Sequence, residues 1–177
     1  MCIRDRFITC SDSRVVPNLI TNAAPGALFL VRNVGNVVPH PSLPGGTAAA
    51  MEYAVEVLEV ENVIVCGHTQ CGAIQAILHP ETVEHLPYVK RWVDGGGELS
   101  RLMSERYAQL EGDALATVAV QENVLLQVEN LRRFEFVEKK LAAGQMHISG
   151  WVFKIATGQV FDFDPESGEF VELSPDE

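Results

Sequence analysis

Asn62-Val63-Ile64-Val65-Cys66-Gly67 is the stretch that decides the fold, because it is a continuous apolar run of strand length. Such a run is typical of a parallel strand that is covered on both faces. His68-Thr69-Gln70-Cys71-Gly72 follows directly, and Ala73 to Leu78 has the composition of the first turns of a helix. We therefore predict a buried strand, a turn that carries polar side chains, and then a helix.

The rest of the chain alternates in the same way between short β-prone runs and longer segments of helical periodicity. We predict strands over 7–10, 27–32, 146–155 and 160–163, and helices over 47–61, 98–110 and 114–131. Alternating strands and helices indicate an α/β fold. We expect one domain over residues 1–177, with a mostly parallel central sheet flanked by helices and the C-terminal strands at its edge. Residues 1–6 are interpreted as a non-native leader, and residues 165–177 as a tail.

Length and charge exclude several classes of function. The chain has 177 residues, with 13 Lys and Arg against 24 Asp and Glu, so its net charge is −11 and its pI is near 4.8. Nucleic acids and anionic membranes need clustered cations that this chain lacks. It also has no apolar run of the roughly 18 residues that a membrane-spanning helix needs. We expect a cytoplasmic protein that binds neither nucleic acid nor membrane.

Candidate metal ligands stand at the ends of two predicted strands. The chain has four cysteines, which we expect to be reduced. Cys10 ends one strand, and His68 and Cys71 follow another in H-x-x-C spacing. Ligands bind outside the carboxyl ends of strands in an open α/β sheet, so these side chains can converge. Two thiolates and one imidazole suit zinc with an open fourth position, although spacing alone also permits a set of Cys66, His68 and Cys71.

Two charged residues follow Cys10 closely. Asp12 is near enough either to take the fourth coordination position or to hydrogen-bond a water held there. Arg14 could grip the Asp12 carboxylate in a forked pair, which would keep it off the metal and orient it toward that water. A structural ion pair is the alternative interpretation of the same two residues.

Four motifs together resemble the β-class carbonic anhydrases. They are Cys10-Ser11-Asp12-Ser13-Arg14, Arg32-Asn33-Val34-Gly35-Asn36, Glu52-Tyr53-Ala54-Val55 and Cys66-Gly67-His68-Thr69-Gln70-Cys71-Gly72-Ala73. The resemblance covers about residues 8–162. It implies one zinc ion per chain on Cys10, His68 and Cys71, with an Asp12–Arg14 dyad. The implied enzyme is a carbonate dehydratase, a carbon–oxygen lyase of carbon utilization, in which hydroxide on the zinc converts carbon dioxide to bicarbonate and a proton.

The resemblance is to the plant-like branch of that family and extends to the substrate pocket. By position, Phe29, Val34, Tyr53 and Gly72 match pocket residues. In the family a neighbouring subunit supplies part of this pocket, which implies a homodimer or a higher homo-oligomer. We expect two departures from the family: the helical N-terminal arm before the first strand is missing, and a pocket glutamine has no counterpart.

Two other functions compete with this one. The chain could be a structural or regulatory zinc-binding module in which Asp12 is a permanent fourth ligand. It could also be a hydrolase of a related small heterocumulene such as carbonyl sulfide, because the same attack by hydroxide applies.

Overall fold

A computed structural model describes residues 5–174 of the chain. Its strands are β1 (Asp5–Cys10), β2 (Leu28–Asn33), β3 (Asn62–His68), β4 (His147–Phe153), β5 (Val160–Asp164) and β6 (Glu169–Glu172). Most of the predicted leader lies outside the described residues, and its last two residues, Asp5 and Arg6, open β1. The segment 165–177, which we expected to be a tail, contains β6.

The strands form one sheet in the order β2-β1-β3-β4-β5-β6. β1 pairs in parallel with β2 and β3, and β3 pairs in parallel with β4. β5 and β6 are added in antiparallel orientation at one edge. The predicted α/β fold with a mostly parallel sheet is therefore confirmed. The two predicted C-terminal strands correspond to β4 and β5 on one side of the sheet, and β6, which the sequence did not predict, forms the edge.

Seven α-helices accompany the sheet within the described range. They are α1 (Pro17–Ile20), α2 (Gly46–Glu52), α3 (Gly72–Leu78), α4 (Pro87–Asp94), α5 (Gly97–Arg106), α6 (Gly112–Arg132) and α7 (Glu135–Ala142). The helix predicted over 47–61 differs in form, because a π-helical turn over Tyr53–Val57 follows α2. Across residues 5–174 we find no helix with the length and apolar character needed to cross a membrane.

The long helix α6 packs against the centre of the sheet on β3 and β4. Its valines Val120, Val124 and Val128 are buried, as their helical spacing predicted. Glycines in the two strands permit this close approach, since a Cβ at Gly67 would lie 2.7 Å from Val124 Cγ2. The small residue at the end of the apolar run of β3 thus fixes how near α6 comes to the sheet.

Substituting Gly67→Ala should lower the free energy of unfolding by about 1–3 kcal/mol, because overpacking forces the valines of α6 to shift. Urea denaturation measures this change. Gly97→Ala is the matched control, since a Cβ at Gly97 meets no atom within 4 Å. Equal stability of the Gly67→Ala variant and the wild type would show that α6 does not rest on this strand as closely as described.

Arg6 is an unusual residue in the interior of the protein. It is 0% exposed, and among residues 5–174 its Nε, Nη1 and Nη2 atoms have no hydrogen-bond partner. Its guanidinium carbon lies 5.8 Å from the centre of the Phe29 ring, and burial lowers the pKa of Arg6 to about 9. A buried cation without a counter-ion is expected to be destabilising.

Replacing Arg6 by leucine should therefore raise the free energy of unfolding. The expected gain is about 1–3 kcal/mol, because this is what a buried polar group without a hydrogen-bond partner usually costs. Denaturant titration of the purified variant measures the gain. The exposed Arg101 on α5 provides the control substitution Arg101→Leu, which should change stability by about 0.5 kcal/mol at most. A loss of stability in the Arg6→Leu variant would contradict this interpretation.

Candidate metal centre

The candidate ligands come from two neighbouring strands and the helix that follows one of them. Cys10 is the last residue of β1, and His68 is the last residue of β3. Cys71 directly precedes α3. Because β1 and β3 are parallel neighbours, their carboxyl ends meet at one edge of the sheet. One ligand atom from each of these three residues lies within 4.8 Å of the other two, as the strand ends predicted.

The imidazole of His68 is prepared to accept a metal. His68 is 1% exposed, and its Nδ1 atom lies 2.8 Å from the carbonyl oxygen of Thr69. This contact places the ring proton on Nδ1 and leaves the lone pair on Nε2. His68 Nε2 is buried and finds no hydrogen-bond partner in the part of the chain that the structure describes. A buried acceptor of this kind fits a metal ion.

The two thiols face each other in the same buried space. Cys10 is 7% exposed and Cys71 is 2% exposed. A hydrogen bond with Cys71 lowers the pKa of Cys10, while the same contact raises the pKa of Cys71. Holding two thiolates side by side needs a cation between them. Together with the bare nitrogen of His68, they form a donor set that fits zinc.

Cys66 does not belong to this group. Among residues 5–174, the cluster of three potential ligands consists of Cys10, His68 and Cys71. Cys66 is fully buried inside β3, where its Sγ atom donates to the carbonyl oxygen of Gly67 at 3.4 Å. Burial raises the pKa of the Cys66 thiol to about 12. The structure thus removes the alternative ligand set of Cys66, His68 and Cys71 and makes Cys66 a core residue.

Asp12 and Arg14 form the forked pair that the sequence suggested. Arg14 Nε donates to Asp12 Oδ1 at 3.0 Å, and Arg14 Nη2 donates to Oδ2 at 2.7 Å. These hydrogen bonds hold the pKa of the Asp12 carboxyl well below its usual range. Asp12 Oδ2 lies 4.0 Å from His68 Nε2. The carboxylate is therefore ionised and close to the ligand group, with both oxygens bonded to Arg14.

Gln70 supports this pair from the turn between His68 and Cys71. Arg14 Nη1 donates to Gln70 Oε1 at 3.2 Å, and Nη2 donates to the Gln70 carbonyl oxygen at 3.3 Å. Gln70 has a φ of 59°, the left-handed region that few side chains adopt. Sequence reasoning missed this residue, since nothing about an isolated glutamine in a turn indicates its contact.

Arg32 is a second functional residue that the sequence did not reveal by itself. Its Nη2 atom donates to the carbonyl oxygens of Asp12 at 2.7 Å and Val15 at 2.9 Å, and its Nε donates to that of Cys10 at 3.1 Å. Arg32 therefore fixes the backbone of the loop that carries Asp12 and Arg14. The available signal was its place opposite Thr9 on the neighbouring strand, one residue before the candidate ligand Cys10, and this register is known only when the strands are paired.

The predicted pocket residues fall into two groups. Val34 lies in the loop after β2 and is 45% exposed, and Gly72 directly follows Cys71. Phe29 instead pairs with Arg6 near the start of β1, and its ring lies 6.2 Å from that of Tyr53. Within one chain, the structure brings Val34 and Gly72 to the ligand group but places Phe29 and Tyr53 away from it.

Known proteins are similar to this chain over most of its length. Residues 6–160 match the family model described as carbonic anhydrase. A carbonic anhydrase of Synechocystis sp. is 42% identical over 167 residues, which cover 93% of this chain and 61% of that protein. A carbonic anhydrase of Pseudomonas aeruginosa is 41% identical over 169 residues, covering 95% of this chain and 76% of that protein.

One solved structure is similar to this chain in both sequence and fold. The β-carbonic anhydrase CcaA superimposes with a TM-score of 0.93 at 41% identity, covering 96% of this chain and 84% of that one. The chain spans about three fifths of the length of the Synechocystis relative. The family match, the identities and the shared fold establish one conclusion: the chain belongs to the β-class carbonic anhydrase family.

Proposed function

We propose that the protein catalyses the reversible hydration of carbon dioxide to bicarbonate and a proton, with one zinc ion held by Cys10, His68 and Cys71. The observation that carries this proposal is the convergence of two sulfurs and one bare imidazole nitrogen beside an ionised carboxylate. Bound zinc would supply the Lewis acidity that makes water nucleophilic near neutral pH.

Asp12 has the position and charge to orient the attacking water. Its carboxylate lies 4.0 Å from His68 Nε2 and is ionised by its contact with Arg14. It can accept a hydrogen bond from water beside the ligand group, which fixes the direction of the oxygen lone pair. Arg14 and Gln70 hold that carboxylate in place.

An apolar wall suits carbon dioxide, which carries no charge to grip. Val34 is an exposed apolar residue next to Gly35, whose N–H contacts Cys10 Sγ, and Gly72 leaves open space where a larger side chain would project. We propose that a second copy of the chain completes the pocket, because Phe29 and Tyr53 lie elsewhere in the same chain. Tyr53 is 50% exposed and Val57 is 59% exposed, so this surface offers aromatic and apolar side chains to a partner. A homodimer or higher homo-oligomer follows from this proposal, and a cytoplasmic location stays a prediction.

The closed zinc-binding module is less well supported. Its premise is that Asp12 serves as a permanent fourth ligand. Both carboxylate oxygens are instead engaged by Arg14, and Oδ1 also accepts the Arg14 backbone N–H at 2.9 Å. Direct ligation of a metal by Asp12 would require some of these charge-assisted hydrogen bonds to break, and their strength opposes it.

Stopped-flow measurement with a pH indicator tests the proposed activity. The zinc-loaded protein should hydrate carbon dioxide well above the buffer rate, a chelated sample should fall to that rate, and added zinc should restore activity. Carbonyl sulfide assayed in parallel distinguishes the two enzymatic hypotheses. Faster turnover of carbonyl sulfide than of carbon dioxide would favour the hydrolase. A zinc-loaded protein without activity on either gas would contradict the proposal.

A further inference from the structure

One peptide group connects the candidate ligand Cys10 to a residue on a distant helix. The Gly35 N–H donates to Cys10 Sγ at 3.4 Å. The carbonyl of the same peptide group, that of Val34, accepts the Trp92 indole N–H at 2.7 Å. The described residues contain no cis peptide bond, and in a trans peptide the N–H and C=O point in opposite directions. Trp92 and Cys10 thus lie at opposite edges of one peptide group.

We propose that Trp92 is a positioning residue of the metal centre, which acts by holding the Val34–Gly35 peptide so that its N–H remains directed at Cys10 Sγ. The inference rests on the proposed function in that Cys10 is taken as a metal ligand. Trp92 is not one of the three candidate ligands, and its indole N–H donates to the Val34 carbonyl oxygen. Its effect passes through the peptide group alone.

The orientation of this peptide matters because the Gly35 backbone is held in an unusual conformation. Gly35 has a φ of 84°, and a Cβ there would lie 2.9 Å from Ala73 Cβ. Asn36, the next residue, also has a positive φ of 48°. Such backbone persists only where surrounding contacts determine it. The bond from Trp92 is one of these contacts.

Other side chains hold the part of this loop that follows Gly35. The hydrogen bond from Trp92 holds the Val34–Gly35 peptide itself. Asn123 Nδ2 donates to the Gly35 carbonyl oxygen at 3.2 Å, and Gln127 Oε1 accepts the Val38 N–H at 2.8 Å. These amides lie one turn apart on α6, and Gln127 Nε2 donates to Asn123 Oδ1 at 3.0 Å. They hold the peptides that follow Gly35, whereas Trp92 holds the peptide that precedes it.

An N–H directed at a thiolate sulfur withdraws charge from it and fixes its direction. The hydrogen bond from the Trp92 indole to the Val34 carbonyl oxygen polarises the peptide group and makes the Gly35 N–H a stronger donor. Partners of this kind, one step removed from a metal, tune the ligand and orient it. Loss of the indole N–H should therefore weaken the Gly35 bond and leave more charge on the Cys10 sulfur.

The test is the substitution Trp92→Phe, which keeps an aromatic ring and removes the donor. Trp92 is 41% exposed, so the change does not empty the core. In the zinc-loaded protein, amide hydrogen exchange at Gly35 should accelerate about five- to tenfold, the size expected for one hydrogen bond. In the cobalt-substituted protein, the thiolate-to-cobalt absorption band should move to lower energy. Tyr88→Phe on the same helix is the control and should change neither, because Tyr88 is 87% exposed.

A second variant separates the hydrogen bond from the shape of the side chain. Benzothienylalanine at position 92 keeps the fused ring of tryptophan and lacks the N–H, so it should reproduce both changes. Unaltered Gly35 exchange and an unaltered cobalt band in both variants would overturn the proposal. A protein that retains no metal would contradict the proposed function instead, and exchange at Gly35 would still test the bond from Trp92.

Discussion

Substituting Cys10→Ser is expected to abolish metal retention and to reduce carbon dioxide hydration by at least about a thousandfold, because zinc-assisted water ionisation is lost. Cys10 supplies one of two sulfurs in the ligand group, and a neutral hydroxyl is a poor replacement for a thiolate. Metal analysis of the dialysed variant and stopped-flow hydration measure the two effects.

Cys66→Ser provides a matched control within the same sheet. Cys66 is also a fully buried cysteine at the same end of a central strand, but its thiol lies outside the ligand group. This variant should keep stoichiometric zinc and most of its activity. Loss of zinc from Cys66→Ser together with its retention in Cys10→Ser would contradict this assignment of the metal ligands.

The second large effect is expected for Asp12→Asn. The amide is nearly the same size as the carboxylate but carries no charge, and it offers one acceptor oxygen where Arg14 now meets two. Hydration should fall by about a hundredfold or more, the usual contribution of a positioned proton acceptor. Zinc content should remain at one ion per chain, since Asp12 is not a ligand in the proposed site.

Asp94→Asn is the corresponding control, because Asp94 is an exposed carboxylate that pairs with Lys90 one helical turn away. It should leave both zinc content and activity unchanged. Loss of zinc in the Asp12→Asn variant would point to direct ligation by Asp12 and would favour the closed zinc-binding module over an enzyme.

The ligand group could be predicted because its determinants are local in sequence. Apolar runs ended at Cys10 and Gly67, and parallel strands that end together bring their following residues to one edge. His68 and Cys71 are separated by only two residues, so a single turn of the chain is enough to bring their side chains together. The forked contact of Asp12 and Arg14 was predictable for the same reason, since the two residues are separated by a single position.

Contacts between distant parts of the chain could not be predicted in this way. The bond from Trp92 to Val34 depends on where α4 lies, and its sequence carries no signal for that placement. The match of Phe29 to a pocket position also did not reveal that it lies beside Arg6, near the start of the strands. Arginine is seldom fully buried in proteins unless it is paired, so nothing in the sequence indicated that Arg6 would lie in the core. Its burial is seen only from the residues that pack around it.

X-ray absorption of the purified, zinc-loaded protein near pH 8 is the most direct test of the metal centre. We predict two sulfurs at about 2.3 Å and one imidazole nitrogen at about 2.0–2.1 Å, as is usual for zinc. The fourth neighbour should be an exchangeable oxygen that persists in the Asp12→Asn variant. A shell with a single sulfur, or a fourth neighbour that disappears with the Asp12 carboxylate, would contradict the account.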